Sequence, residues 1–166
     1  MTTSDFQKSQ SLVYDQIGVA CTHPAPEPES AEYCAHSFLL NDRPVRFRAA
    51  KTTPTKAGQF VTLWARSASG PIRPLDTADA VDLVVISSRD AEHFGHFVFP
   101  AATLVARGIV SRDGVGGKRG FRVYPPWSTP ANRQATSTQT WQLDHYLPVG
   151  DGSRLDLTRA RRLYRV

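Results

Sequence analysis

The alternation of apolar and polar positions changes period several times along the chain, and each change predicts an element. Phe6, Val13 and Ile17 recur near helical spacing behind Ser4 and Gln7, the pair of a capping box, so a helix is predicted over 4–17, closed by Gly18. The alternating prolines of H-P-A-P-E-P-E-S at 23–30 forbid regular structure and predict an extended linker. From Tyr33 the period falls to two. A-H-S-F-L-L, the turn N-D-R-P and V-R-F-R-A-A-K predict paired strands, with Val45, Phe47 and Ala49 on a core face and Arg46 and Arg48 on a cationic one. Gln59 to Arg66 is largely apolar on both faces, which predicts a strand inside the sheet, and V-D-L-V-V-I-S at 81–87 predicts another of the same kind.

G-H-F-V-F-P predicts a short strand ended by Pro100, and A-A-T-L-V-A-R-G a short helix closed by Gly108. F-R-V-Y is a strand halted by Pro125 and Pro126. Thr129 followed by Pro130 predicts a helix start, with the helix running to about Tyr146. The order of elements predicts one domain over 1–166 of α/β (α+β) class, a single mixed β-sheet flanked by helices. Residues 1–31 form its N-terminal helix and proline-rich linker, and 154–166 a basic tail that Leu155, Leu157, Leu163 and Tyr164 should dock.

Composition narrows the class. The chain of 166 residues is long enough for a core without metals or disulfides, and Cys21 and Cys34 are read as reduced thiols. No run approaches the ~20 apolar residues of a membrane span, and M-T-T-S-D-F-Q-K is unlike a signal peptide, so a cytoplasmic monomer is expected.

Charge is uneven. The formal net charge is +5, but residues 1–32 are acidic and 154–166 carry five Arg against one Asp. Arg43 to Leu75 and Gly114 to Leu143 contain no acid, so their cations cannot cancel locally and project a positive field. Within these windows Arg46, Arg48, Lys51, Lys56 and Arg66 run beside Phe47, Phe60 and Trp64, while Lys118, Arg119 and Arg122 run beside Tyr124 and Trp127. Cations neutralise phosphates and rings stack on unpaired bases, so this interleaving points to nucleic acid. Lys51, Lys56 and Gln59 around Thr-Pro-Thr read as a phosphate clamp. If the strand from Val45 stays regular, Lys51 falls on the core side, where an ammonium needs a partner.

Other chemistry can be set aside. G-V-G-G-K-R-G lacks the first glycine of a Walker A loop, and Arg119 stands where the magnesium-binding Ser or Thr would be. His93 and His96 have no third ligand at metal spacing and read as loop histidines.

The blocks A-K-T-T-P-T-K-A-G-Q-F-V-T-L-W-A-R, D-L-V-V-I, F-G-H-F-V-F-P, G-K-R-G-F-R-V-Y-P-P-W and Q-A-T-S-T-Q-T-W-Q resemble the MepB family of small bacterial proteins from about Glu32 to Tyr146. The resemblance implies an α/β core similar to the PD-(D/E)XK nucleases, restriction-endonuclease-like, with nucleic-acid binding as the favoured activity. Such a nuclease needs a D/E-x-K tripeptide, carboxylates for magnesium and a lysine for the attacking water. No Asp or Glu here has a lysine two positions later. The expectation is therefore a nucleic-acid-binding protein, DNA first, without catalytic residues, metal or cofactor. The runner-up is a magnesium-dependent nuclease with a displaced site of Glu32, Asp82, Gln59 and Lys51. A third reading is an adaptor that binds an acidic protein partner or small anion.

Overall fold

The computed structural model describes residues 4–66, 70–150 and 154–166; the polar start at Met1–Thr3 lies outside them. Ser4 and Gln7 form the capping box that opens α1 (Asp5–Ser9), and a π-helical turn at Gln10–Tyr14 leads into α2 (Asp15–Ile17). Gly18 ends it in the left-handed conformation, at φ 69°.

The proline-rich segment is not a free linker. Cys21–Pro26 is strand β1, an edge strand whose register on its neighbour breaks between Thr22 and Ala25, and Pro28–Tyr33 winds into a 3₁₀ helix. Prolines cannot donate to a ladder, yet at an edge one side needs no donor, so the segment pairs where an interior strand could not. Strands β2 (His36–Leu40) and β3 (Arg43–Ala49) follow, joined by a two-residue turn with both Asn41 and Asp42 at positive φ.

At Ala50 the chain leaves this sheet. Strands β4 (Lys51–Thr52) and β5 (Gln59–Thr62) belong to a second sheet, and β6 (Trp64–Arg66) pairs with β7 (Ile72–Pro74) in a third. The Gln59–Arg66 segment, expected as one strand inside the large sheet, is thus divided between β5, the middle of the small sheet, and β6 of the third. The chain returns as β8 (Leu83–Arg89), parallel to β3, and turns back as β9 (Phe94–Pro100). After α3 (Ala101–Ala106) comes β10 (Gly120–Val123), which pairs with β5. Helix α4 (Arg133–Leu143) starts at Asn132, whose side chain caps the Ala135 amide, and ends before β11 (Tyr146–Pro148); the expected start at Thr129 and end at Tyr146 are corrected accordingly. Helix α5 (Leu157–Tyr164) closes the chain.

The large sheet is mixed and six-stranded, in order β1-β2-β3-β8-β9-β11, with β10-β5-β4 as the three-stranded partner. Consecutive residues of β8 serve opposite layers. Leu83 and Val85 pack with Val45, Phe47, Phe38 and the terminal helices, while Val84 and Ile86 pack with Val61, Phe121 and Val123 of the small sheet and with Leu63 just past β5. The C-terminal segment docks through Ala160, Leu163 and Tyr164, whereas Leu157 is exposed. Cys21 and Cys34 are free thiols, placed by the β1–β2 register near opposite ends of β2. Among the described residues no helix is long and apolar enough to cross a membrane.

His96 is not a loop histidine but a member of the strand that G-H-F-V-F-P predicts. It is fully buried on β9, with Nε2 2.7 Å from Ser9 Oγ and Nδ1 3.0 Å from the Tyr164 hydroxyl, so it ties α1, the sheet and α5 together. His93 lies in the β8–β9 turn, its Nδ1 2.9 Å from Asp90 Oδ1.

Candidate nucleic-acid interface

Register decides which cations can act together. Lys51 and Arg122 both stand directly opposite Phe60, one from β4 and one from β10, so all three project from the same outer face of the small sheet. Strand alternation puts Lys118 and Gly120 on that face too. A Cβ at Gly120 would strike the Phe60 ring, so glycine is what lets the ring lie flat across β10. The two acid-free windows of the sequence meet here.

Between this face and α4 opens a cleft of about 480 Å³, lined by Arg107, Lys118, Arg122, Gln134, Thr138 and Trp141 among others, with no Asp or Glu in its walls among the described residues. Lys118 is exposed. Arg107 lies over the Trp141 ring at 4.9 Å. Arg122 is the organiser: it donates from Nε to the Ala57 carbonyl (3.1 Å) and from Nη2 to Thr53 Oγ1 (2.6 Å), with longer contacts to the carbonyls of Lys56 and Gly58. It thereby shapes the Thr-Pro-Thr loop and holds the exposed Lys56 beside the cleft, while no carboxylate cancels its charge. Arg119 is exposed next to Lys118, its carbonyl taken by the Leu63 amide, and does not line the cleft.

The remaining expected contacts are placed otherwise. Arg48 is 1% exposed rather than on an open cationic face, because the small sheet and the proline-rich segment cover that side of β3. Its Nη2 meets Glu27 Oε2 at 2.5 Å, and Arg46 bonds the other oxygen of the same carboxylate. Burial pushes the Arg48 guanidinium pKa down, and Glu27 opposes that shift. Lys51 lies in β4 and not on the core side of β3; it is exposed, 3.3 Å from Glu32 and 4.8 Å above the Tyr33 ring. Arg66 lies over Trp64 at 5.7 Å, and Trp127 stacks on His93 at 4.7 Å.

Gln59 is buried and saturated. Its amide donates to Thr52 Oγ1 and the Arg89 carbonyl and accepts from Ser88 Oγ, so it braces the two sheets rather than a ligand. The displaced nuclease site does not assemble. The Asp82 amide bonds the Pro44 carbonyl at the start of β3, whereas Lys51 and Glu32 lie beyond its end, roughly 20 Å along at ~3.3 Å per residue. Among the described residues no three His, Cys, Asp or Glu gather as a metal site.

Two contributors escaped sequence reading, Arg107 and the polar face of α4. Arg107 lies outside both acid-free windows, and only the fold brings it to the cleft.

The MepB-like family model matches residues 27–148, which span β2 to β11 and include every residue of the cleft. The chain belongs to the MepB-like family. The solved crystal structure of MepB is 35% identical, with a TM-score of 0.74 over 77% of this chain and 86% of that one. Among curated proteins no match is found. The MepB-like segment leaves out α1, the π-helical turn, α2 and α5, which together cover one face of the large sheet.

Proposed function

We propose that this MepB-like protein binds nucleic acid through its phosphates, in the cleft between β10 and α4. The observation that carries the reading is the wall of that cleft: Arg107, Lys118 and Arg122 without a carboxylate among the lining residues. Uncancelled cations in a concave surface focus positive potential and release condensed counterions when phosphates replace them. Lys56 and Lys118 are the exposed point charges, and Arg122 sets the loop that presents Lys56. Amide and hydroxyl groups of Gln134 and Thr138 supply neutral hydrogen bonds along the α4 side. Contacts of this kind position a backbone and carry little sequence information. The expected behaviour is that of a cytoplasmic binding protein with weak sequence preference.

Fluorescence anisotropy with a labelled duplex and a labelled single strand, at several salt concentrations, tests this. Log affinity should fall with log salt at a slope of about −0.9 per phosphate contact for duplex DNA. Changing Lys56 and Lys118 together to Ala should flatten that slope by roughly two units and weaken unrelated sequences equally. Absence of binding to either strand form at low salt would refute the reading.

A further inference from the structure

The cations of β3 already have an anion, and it comes from the chain itself. Glu27 spans Arg46 and Arg48 with its two carboxylate oxygens, and Glu32, five residues on, meets Lys51. We propose that Arg46 and Arg48 form a second phosphate-binding site, which Glu27 fills as an internal stand-in and which a phosphate group opens by displacing that carboxylate.

Donor geometry supports the exchange. A guanidinium offers Nε and Nη2 as a two-tined fork to an oxyanion. In Arg48 Nη1 donates to the Phe47 carbonyl at 2.9 Å and Nη2 to Glu27, while Nε is buried with no partner among the described residues. A carboxylate shared between two arginines fills only one tine. A phosphate has enough oxygens to accept from both tines and from Arg46 at once, so it satisfies the donor that Glu27 leaves unpaired.

The segment carrying Glu27 is built to come away. Pro24, Pro26 and Pro28 have no N–H, the β1–β2 register breaks between Thr22 and Ala25, and residues 23–26 are exposed. Beside the site it is held by the Glu27 amide on the Ala35 carbonyl, at 2.8 Å, by the Ala25–Ser37 and Pro26–His36 pairs of the edge ladder, and by Ser30 Oγ, 3.2 Å from Thr62 Oγ1. The Glu32–Lys51 pair is solvent-exposed and contributes little to holding it. An exposed edge segment poor in backbone donors opens locally at lower cost than an interior strand. Beneath it is a cavity of about 340 Å³, lined by Glu27, Glu29, Arg46, Arg48, Trp64 and Arg66 among others, so removing the acids with the strap leaves three cations around one space. This cavity shares no lining residue with the β10–α4 cleft, and the proposal does not depend on what the cleft binds.

The test uses the full chain with pyrophosphate and, separately, a labelled single-stranded oligonucleotide as probes, at low salt. Glu27→Gln should bind pyrophosphate at least about tenfold more tightly than the wild type, because a neutral amide competes poorly for two guanidinium groups. Adding Arg46→Ala should remove the gain, and Lys118→Ala should leave it intact. A gain with the oligonucleotide as well as pyrophosphate assigns the site to backbone phosphates; a gain with pyrophosphate alone assigns it to free phosphate. Equal affinity of the wild type and Glu27→Gln for both probes would overturn the proposal. If Glu27→Gln does not fold, hydrogen exchange on the wild type decides: pyrophosphate must speed exchange of the Glu27 amide, and unchanged or slower exchange there rejects displacement. Loss of cleft binding on changing Lys56 and Lys118 is measured independently, so the two sites can fail separately.

Discussion

Gln142 closes the free edge of β10 as a strand would. Its Nε2 donates to the Arg122 carbonyl at 2.9 Å and its Oε1 accepts from the Tyr124 amide at 2.8 Å, with the side chain fully buried. One helical residue thus satisfies two backbone groups of an edge strand and sets the distance between α4 and the cleft's main cation.

Replacing Gln142 with Leu should therefore cost about 1–3 kcal/mol, since a part-buried carbonyl and a part-buried amide lose their partners together. Urea unfolding measures the loss. A cost below about 0.5 kcal/mol, within the range of an ordinary surface change, would show that water replaces the amide freely.

Arg46 and Arg48 share Glu27 but differ in exposure, with side chains at 29% and 1%. Arg48→Ala should be the costlier change, by about 3 kcal/mol or more, because it empties a buried volume and leaves Glu27 half paired. Arg46→Ala should cost about 1 kcal/mol or less. Equal effects in thermal or urea unfolding would contradict the assignment of Arg48 to the interior.

Gly95 lies against the ring of Tyr146, where an added Cβ would overlap the phenol. Gly95→Ala should destabilise by about 1–3 kcal/mol through overpacking between β9 and β11. A Gly95→Ala, Tyr146→Leu double variant should recover part of that loss, which a cycle of unfolding measurements will show.

Acid should act through His96. Burial pushes its pKa down from 6.5 to about 3, so between those values the unfolded chain binds a proton that the folded one does not. Stability is fully present above the unfolded pKa and falls as pH drops towards the folded one, by a few kcal/mol if the whole window is crossed. Unfolding free energies of the wild type and His96→Gln, compared from about pH 7 to about pH 4, should diverge by nearly one proton in slope. Parallel profiles would mean that the ring opens to solvent before the fold is lost.

Much of the local structure follows from neighbours in the chain. The capping box of Ser4 and Gln7 and the turn at Asn41 and Asp42 depend on interactions a few residues apart, and the sequence by itself determines them, as its unbroken apolar run marks β8 for an interior position. It also determines that Lys51, Lys118 and Arg122 are cations free of acids nearby in sequence. What it does not contain is the acid that arrives from elsewhere. Glu27 reaches Arg46 and Arg48, and Glu32 reaches Lys51, across about twenty residues and a change of sheet, so a window of local charge counts as positive what the fold has already neutralised. The same holds for His96, a strand position by its neighbours, whose place in the core is decided only once Ser9 and Tyr164 close over it. Only tertiary structure decided which cations keep their field. Charge, unlike backbone propensity, is cancelled by whatever lies close in space, and in this chain the proline-rich strap lies over β3 while no acid among the described residues lines the cleft beside β10.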